Sequence, residues 1–289
     1  MKGTGRLLLV PVTAVVVIVL FVQNTRHSAQ NSLETRIEKI QHASNQPEIS
    51  CSELAATRPL VLLALGQSNA GNHGRQESRS PTVNLIADQK CVLANDPLPG
   101  ATGDGGSIWS HLVPLLTSPR GTSPVVLSVL AVDSTTIAEW TDKNGPLKKI
   151  LTAKLASMNR LGLPPTLVLW QQGEADARDK TSEEDYMVHL QELASILDGE
   201  GVRAPILLAK STVCRSSPYD KLHTAIDKTV AQFPMFQHGP DTDALEGDQI
   251  RDGCHLTQAG LKSAARMWAE SVSTALKSIG SIPLYPLKP

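Results

Sequence analysis

The sequence predicts an α/β domain built on a parallel β-sheet. From residue 59 onward, short apolar runs alternate with longer segments of helical period, which is the pattern of strands joined by crossover helices. The chain has 289 residues, of which 41% are hydrophobic, so it can form one sizeable core rather than two large domains. The expected strands cover 60–65, 125–132, 166–171 and 205–210.

Helices are expected between and after these strands, at 107–117, 146–160, 182–198, 218–232 and 257–280. Ser182 is followed by Glu184 and Asp185, and acidic residues favour the first turn of a helix. Thr257 is a suitable N-cap for the last helix, and Gly280 is expected to end it.

The N-terminal segment has features of a membrane anchor. Residues 7–22 form an uncharged apolar run, and Lys2 and Arg6 precede it. This length lies between a signal-peptide core of about 7–15 residues and a spanning helix of about 20. Pairs of small residues two positions apart, which would mark a cleavage site, are missing just after the run: Ala29 has His27 two residues before it, and Ser28 has Arg26. An uncleaved anchor at 1–22, with the rest of the chain outside the cytoplasm, is therefore favoured over a removed signal peptide and a secreted protein.

The rest of the chain divides into three parts. The polar residues 23–58 are interpreted as a stalk, 59–280 as the folded domain, and 281–289 as a C-terminal tail. The formal net charge is only -1, so nothing attracts nucleic acid over a distance, and nucleic acid is not an expected partner. Contact with a membrane is expected only through the N-terminal segment.

The four cysteines suit a chain that is expected to lie in an oxidising compartment. They permit two disulfides among three connectivities, and inert buried thiols are the alternative. The pairs Cys51–Cys91 and Cys214–Cys254 are predicted, because the second pair would tie the loop before the last helix to the end of an earlier strand. The spacing has no CxxC zinc signature.

Ser68 is a candidate nucleophile. It follows the first predicted strand in the run Gly66-Gln67-Ser68-Asn69, and ligands of parallel sheets bind beyond the carboxyl ends of the strands. Gly66 permits a tight exit from the strand, and backbone N–H groups at the next helix start can face an oxyanion. For this motif alone, an ordinary strand-to-helix turn with Ser68 as N-cap is the alternative.

Asp252 and His255 are the candidate partners of such a nucleophile. A serine hydroxyl needs an imidazole to take its proton, and the imidazole needs a carboxylate to fix its tautomer. The run Asp252-Gly253-Cys254-His255 lies just before the last helix, where both side chains can lie on the same side. Seven other histidines occur, so the pairing with Asp252 is what singles out His255.

A third motif ends the predicted strand 166–171. It reads Trp170-Gln-Gln172-Gly173-Glu174-Ala-Asp176. A glutamine there can donate its amide to an oxyanion, and Gly173 lets the backbone turn sharply. The two acidic side chains are expected first of all to bond backbone N–H groups and shape the loop.

Taken in order, Gly-Gln-Ser-Asn, Trp-x-Gln-Gly-Glu-x-Asp and Asp-x-x-His resemble the motifs of the SGNH hydrolases, in particular the sialate O-acetylesterase-like branch grouped with carbohydrate esterase family 6. The resemblance covers roughly residues 59–275. It implies a flavodoxin-like, three-layer α/β/α fold with a central parallel sheet of about five strands. It also implies a serine esterase that removes acetyl groups from carbohydrate hydroxyls through an acetyl-serine intermediate, with no cofactor and no metal.

The resemblance also assigns roles to single residues. It implies a catalytic triad of Ser68, His255 and Asp252. The oxyanion donors would be the backbone N–H groups of Ser68 and Ser134 and the side-chain amide of Gln172. The remaining motif residues are candidates for substrate binding: Gln67, Asn69, Thr135 and Glu174.

One block departs from the family pattern. Family members typically carry Gly-Gly-Thr-Ser-Ile-x-x-Trp, whereas this chain has Asp133-Ser134-Thr-Thr-Ile-x-x-Trp140. The second glycine usually supplies an oxyanion N–H, which Ser134 can still supply if its φ and ψ fit. The loss of such a donor slows a hydrolase by about 10²–10³-fold. Because a side chain at Ser134 also narrows the pocket, the sequence predicts a slow or selective enzyme.

Two other functions remain open. The same triad can pass the acetyl group to another sugar hydroxyl, as a polysaccharide O-acetyltransferase does, and water exclusion would decide between transfer and hydrolysis. A decayed esterase that only binds carbohydrate is the second alternative. In each case the partner is a small-molecule or polysaccharide acetyl ester. Trp109 and Trp140 either stack a sugar or belong to the core.

Overall fold

A computed structural model of the protein describes residues 33–75, 80–116 and 124–281. The predicted anchor at 1–22, the first part of the predicted stalk and the tail from residue 282 lie outside the described residues. The chain forms two compact units, 1–38 and 39–289. Of the first unit the structure describes only 33–38, of which 33–37 are helical. None of the helices in the described parts is long and apolar enough to cross a bilayer.

The second unit contains an eight-stranded sheet. The strands are β1 Glu48–Ile49, β2 Leu60–Gly66, β3 Val83–Ala87, β4 Lys90–Ala94, β5 Val125–Ala131, β6 Leu167–Gln171, β7 Ile206–Lys210 and β8 Phe236–Asp241. Their order is β1-β4-β3-β5-β2-β6-β7-β8. The six strands from β3 to β8 in that order are parallel. At one edge β4 pairs antiparallel with β3, and β1 pairs antiparallel with β4.

Helices connect and cover these strands. They are α1 Cys51–Ala56, α2 Ile108–Leu112, α3 Ile137–Thr141, α4 Pro146–Arg160, α5 Glu174–Asp179, α6 Glu183–Gly199, α7 Asp220–Gln232 and α8 Gln258–Ser281. A two-stranded hairpin, β9 Arg251–Asp252 and β10 His255–Leu256, precedes α8. Ser182 caps α6 through a bond from the N–H of Asp185, and Thr257 accepts the N–H of Gly260 at 3.2 Å, as their N-cap positions predict.

The sheet is buried on both faces, which gives the three layers that the fold class implies. Every residue of β2 is buried, as expected for a central parallel strand. Trp109 of α2 packs on Trp268 of α8 at one face, and Trp140 of α3 packs on Trp170 of β6 at the other. All four tryptophans are fully buried, so Trp109 and Trp140 belong to the core and do not stack on a sugar.

The sheet is larger than the predicted five strands. The hairpin of β3 and β4 turns at Asp88 and Gln89, which both have positive φ. That turn usually carries Asn-Gly or Asp-Gly, so its sequence signal is weak here. Strand β8 contains glycine and proline and lies at the sheet edge, where proline is tolerated.

The folded unit also begins before the predicted boundary at residue 59. Strand β1 pairs with β4, and Cys51 is bonded to Cys91 of β4. Residues 39–58 are therefore part of the domain and not of a stalk. The helix expected at 107–117 ends at Leu112 and continues as a 3-10 turn over Val113–Leu115, because proline at 114 has no N–H to donate.

Candidate active site

The loop after β2 places Ser68 at the carboxyl end of the parallel sheet. Gly66 ends the strand with φ +148°, and a Cβ at this position would lie 2.0 Å from the carbonyl oxygen of Gln171. Only glycine fits this turn. Ser68 then opens a 3-10 turn, Ser68–Ala70, and is 7% exposed.

His255 reaches the same place from the other end of the chain. It lies in β10, and the turn before it contains Gly253, which has φ +65°, and Cys254. The disulfide Cys214–Cys254 ties this turn to the segment after β7, as the sequence predicts. Ser68 and His255 line one cleft of about 610 Å³.

Asp252 lies opposite His255 in the register of the β9–β10 hairpin. Its side chain is exposed, and it is not among the described residues that line the cleft. The structure thus brings the backbones of Asp252 and His255 together, while the hydrogen bonds of the described residues include none between their side chains.

His73 and Asp133 are site residues that the sequence analysis did not identify. The ring of His73 lies 5.2 Å from that of His255, centroid to centroid. Burial, followed by the charge of His73, holds the pKa of His255 below its usual range, whereas the charge of Asp133 acts in the opposite direction. Only their positions in the sequence could have indicated these two residues. His73 follows Ser68 by five residues, and Asp133 directly precedes Ser134.

Ser134 lines the cleft and has φ +57°, a conformation that favours glycine. The serine therefore adopts the backbone that the family glycine would adopt. No hydrogen bond among the described residues uses the backbone N–H of Ser68 or of Ser134, so both can donate to an oxyanion. Ser134 thus has the positive φ that its role as an N–H donor requires, and it differs from a glycine there by its added side chain.

We expect Ser134→Gly to leave kcat for p-nitrophenyl acetate nearly unchanged and to raise it for p-nitrophenyl butyrate, because the variant widens the cleft. Ser134→Val should slow both esters by about 100-fold, since a β-branched residue resists positive φ and would move the N–H donor. Steady-state rates and melting temperatures of the two variants test this. A fast, folded Ser134→Val would contradict the assigned backbone role.

Gln172 does not occupy the predicted oxyanion position. Its side chain is fully buried, and it is not one of the described residues around the cleft. Its Nε2 lies near three buried acceptors: the carbonyl oxygen of Thr135 at 2.8 Å, Asp176 Oδ2 at 2.5 Å and, more distantly, Gln67 Oε1 at 3.3 Å. Its Oε1 accepts from the Tyr186 hydroxyl. Both amide hydrogens are committed to the interior, so Gln172 supports the loop that carries Ser134.

Thr135 and Asn69 make hydrogen bonds within the protein that support the loops around the cleft. The Thr135 hydroxyl donates to the carbonyl oxygen of residue 132 and accepts from Trp140 Nε1. Asn69 Nδ2 donates to Glu174 Oε1 at 2.5 Å and to the carbonyl oxygen of Cys254 at 3.0 Å. Asn69 thereby links the nucleophile turn to the hairpin that carries His255.

Glu174 lines the cleft as a buried carboxyl group. Oε1 accepts from Asn69 and from Ser211, whereas Oε2 is buried with no partner among the described residues. Burial raises the pKa of Glu174 to about 7, because charging it would remove a carboxylate from water. The carboxyl group of Glu174 is thus protonated in part of the molecules near pH 7.

One cluster has the composition of a metal site. The ligand atoms of His223, Asp241 and Asp243 lie within 4.8 Å of one another. Asp243, however, already accepts the N–H groups of Thr212 and Val213 and a bond from His223 at 2.8 Å. These contacts explain the cluster as an ion pair that anchors the segment after β7.

Comparisons with known proteins identify the family of the chain. The family model described as "Carbohydrate esterase, sialic acid-specific acetylesterase" matches residues 59–274. A solved Arabidopsis thaliana protein superposes with a TM-score of 0.54 at 18% identity, covering 76% of this chain and 98% of that one. A Parabacteroides merdae protein described as a GDSL-like lipase has a TM-score of 0.51 at 15% identity, covering 74% and 95%.

These structural similarities show a shared fold. No curated protein matches the sequence significantly. The family match covers most of the chain and includes the turn of Ser68 and the hairpin of His255. The chain belongs to the family of carbohydrate esterases of the sialic acid-specific acetylesterase type.

Proposed function

We propose that the protein is a serine esterase that removes acetyl groups from carbohydrate hydroxyls. The observation that supports this best is the meeting of Ser68 and His255 in one cleft, beside two backbone N–H groups that have no acceptor among the residues that the structure describes. A nucleophile, a base and an oxyanion site are the three parts that acyl transfer needs.

The proposed reaction proceeds in two steps. His255 takes the hydroxyl proton of Ser68 as Oγ bonds to the acetyl carbon, and the backbone N–H groups of Ser68 and Ser134 bind the oxyanion. The bond from carbon to the sugar oxygen then breaks, and that oxygen takes the proton from His255. Water, deprotonated by His255, attacks the acetyl-serine, which releases acetate and restores Ser68.

Asp252 is proposed to orient His255 during these steps. Its position opposite His255 on the hairpin supports this role. Asp133 supplies a second negative charge near the imidazole, which favours the imidazolium form that exists after each proton transfer.

The charges around the cleft suit an acidic sugar. Arg178 and Lys180 line it. The guanidinium of Arg178 is paired with Asp179 at 2.7 Å, so Lys180, whose Nζ lies 4.9 Å from the ring centroid of Tyr219, is the main cation available to a carboxylate. The family description names sialic acid, which carries a carboxylate. We therefore propose an O-acetylated acidic sugar, free or within a polysaccharide, as the substrate.

The protein is proposed to act outside the cytoplasm. Its two disulfides are stable in an oxidising compartment. The apolar segment at 1–22 would hold it at a membrane.

We expect the purified protein to release acetate from O-acetylated sialic acid in water without any added sugar acceptor. Acetate is measured enzymatically, in parallel reactions with and without a non-acetylated acceptor. Turnover that requires the acceptor would identify an acetyltransferase instead. Sugar binding without any acetate release would identify a non-catalytic carbohydrate-binding protein.

A further inference from the structure

Gln67, the residue before Ser68, has a side-chain amide whose orientation is fixed. Its Oε1 accepts the backbone N–H of Ala175 at 3.1 Å and Nε2 of Gln172 at 3.3 Å. Because a backbone N–H can only donate, the atom that faces Ala175 has to be the oxygen. The other side of the amide is therefore Nε2, with its two hydrogens.

This Nε2 group has no acceptor within the described parts of the chain. Gln67 is only 3% exposed, and it lines the cleft together with Ser68, Ser134 and His255. Nε2 of Gln67 is not one of the fully buried, unpartnered polar atoms of the described residues, which are Asp96 Oδ1 and Glu174 Oε2, so it opens to the cleft. A donor that opens to a binding site without a protein acceptor indicates where a ligand oxygen belongs. Gln172, in contrast, has both amide hydrogens bonded inside the protein.

We propose that Nε2 of Gln67 donates to the carbonyl oxygen of the bound acetyl ester, and more strongly to the oxyanion that forms when Ser68 attacks. Gln67 thus takes the part of the side-chain donor that the motif pattern assigns to Gln172. Gln172 holds Oε1 of Gln67 in place. The inference rests on the proposed esterase function and assigns a further catalytic residue to it.

The substitution Gln67→Glu tests this contact with little change of shape. It keeps an oxygen for the N–H of Ala175 and replaces the donor NH₂ by a second oxygen. With p-nitrophenyl acetate at pH 8 we expect kcat to fall about 100-fold while KM stays within about threefold, because the lost contact forms mainly in the transition state. Gln232→Glu, on the exposed end of α7 and away from the cleft, is the matched control and should behave as wild type.

The pH dependence separates this role from a structural one. A protonated glutamate can donate its O–H, so the ratio of the Gln67→Glu rate to the wild-type rate should rise as the pH is lowered. If the added charge lowers the melting temperature, Gln67→Met provides the same comparison without a charge. Gln67→Met should show the same fall in kcat, and its rate relative to wild type should not rise at low pH.

The outcomes are distinguishable from a failure of the proposed function. If wild type and Ser68→Ala hydrolyse the ester equally, the esterase proposal fails. If wild type is active through Ser68 and the folded Gln67 variants keep wild-type kcat, only the role of Gln67 is overturned. A rise in KM alone would also overturn it, because that result indicates ground-state binding and not oxyanion stabilisation.

Discussion

Ser68→Ala is expected to lower kcat for p-nitrophenyl acetate by about 10⁶-fold, as the loss of the nucleophile does in serine hydrolases. Alanine cannot form the acetyl-enzyme, and the remaining cleft can only bind the ester and polarise its carbonyl group. Since Ser68 is almost fully buried at the end of β2, the substitution removes one hydroxyl without exposing the core.

The control for this experiment is Ser195→Ala. Ser195 is an exposed serine on α6, and it does not line the catalytic cleft. An organophosphonate should add its mass to wild type and to Ser195→Ala but not to Ser68→Ala. If Ser68→Ala keeps the wild-type rate, another residue is the nucleophile.

His255→Ala should lower kcat by a similar factor, because His255 is the proposed base that takes the hydroxyl proton of Ser68. His73 is the nearest alternative, at 5.2 Å between ring centroids, so His73→Ala is a necessary comparison. Removal of His238, an exposed histidine of β8, should have no effect. If His73→Ala loses more activity than His255→Ala, the two rings have the opposite roles.

The pH profile provides an independent test of the same base. Burial lowers the pKa of His255, so the neutral, active form persists to a lower pH than for a free histidine. kcat/KM should fall as the pH drops through this lowered pKa. Asp133→Asn removes a charge that raises the pKa of His255, and the acid limb should therefore move to still lower pH. A shift to higher pH would contradict the placement of Asp133.

Local sequence patterns were sufficient for most of the fold. The segment 146–160 forms α4 with the predicted bounds, because proline at its start and a regular apolar face determine a helix within one stretch of chain. The buried parallel strands were predicted equally well, since each is a continuous apolar run. Strand β8 was missed because the polar residues of an edge strand resemble a loop.

The sequence by itself determined the positions of the Ser68 turn and the His255 hairpin, because both residues stand in short motifs whose glycines, Gly66 and Gly253, impose the backbone. Only the tertiary structure decided the orientation of the side-chain amides of Gln67 and Gln172. Gln67 and Gln172 have the same side chain, but one meets the backbone N–H of Ala175 and faces the cleft, while the other is enclosed by Thr135, Asp176 and Tyr186. Those partners come from separate segments, so packing selects the donor that remains free for the substrate.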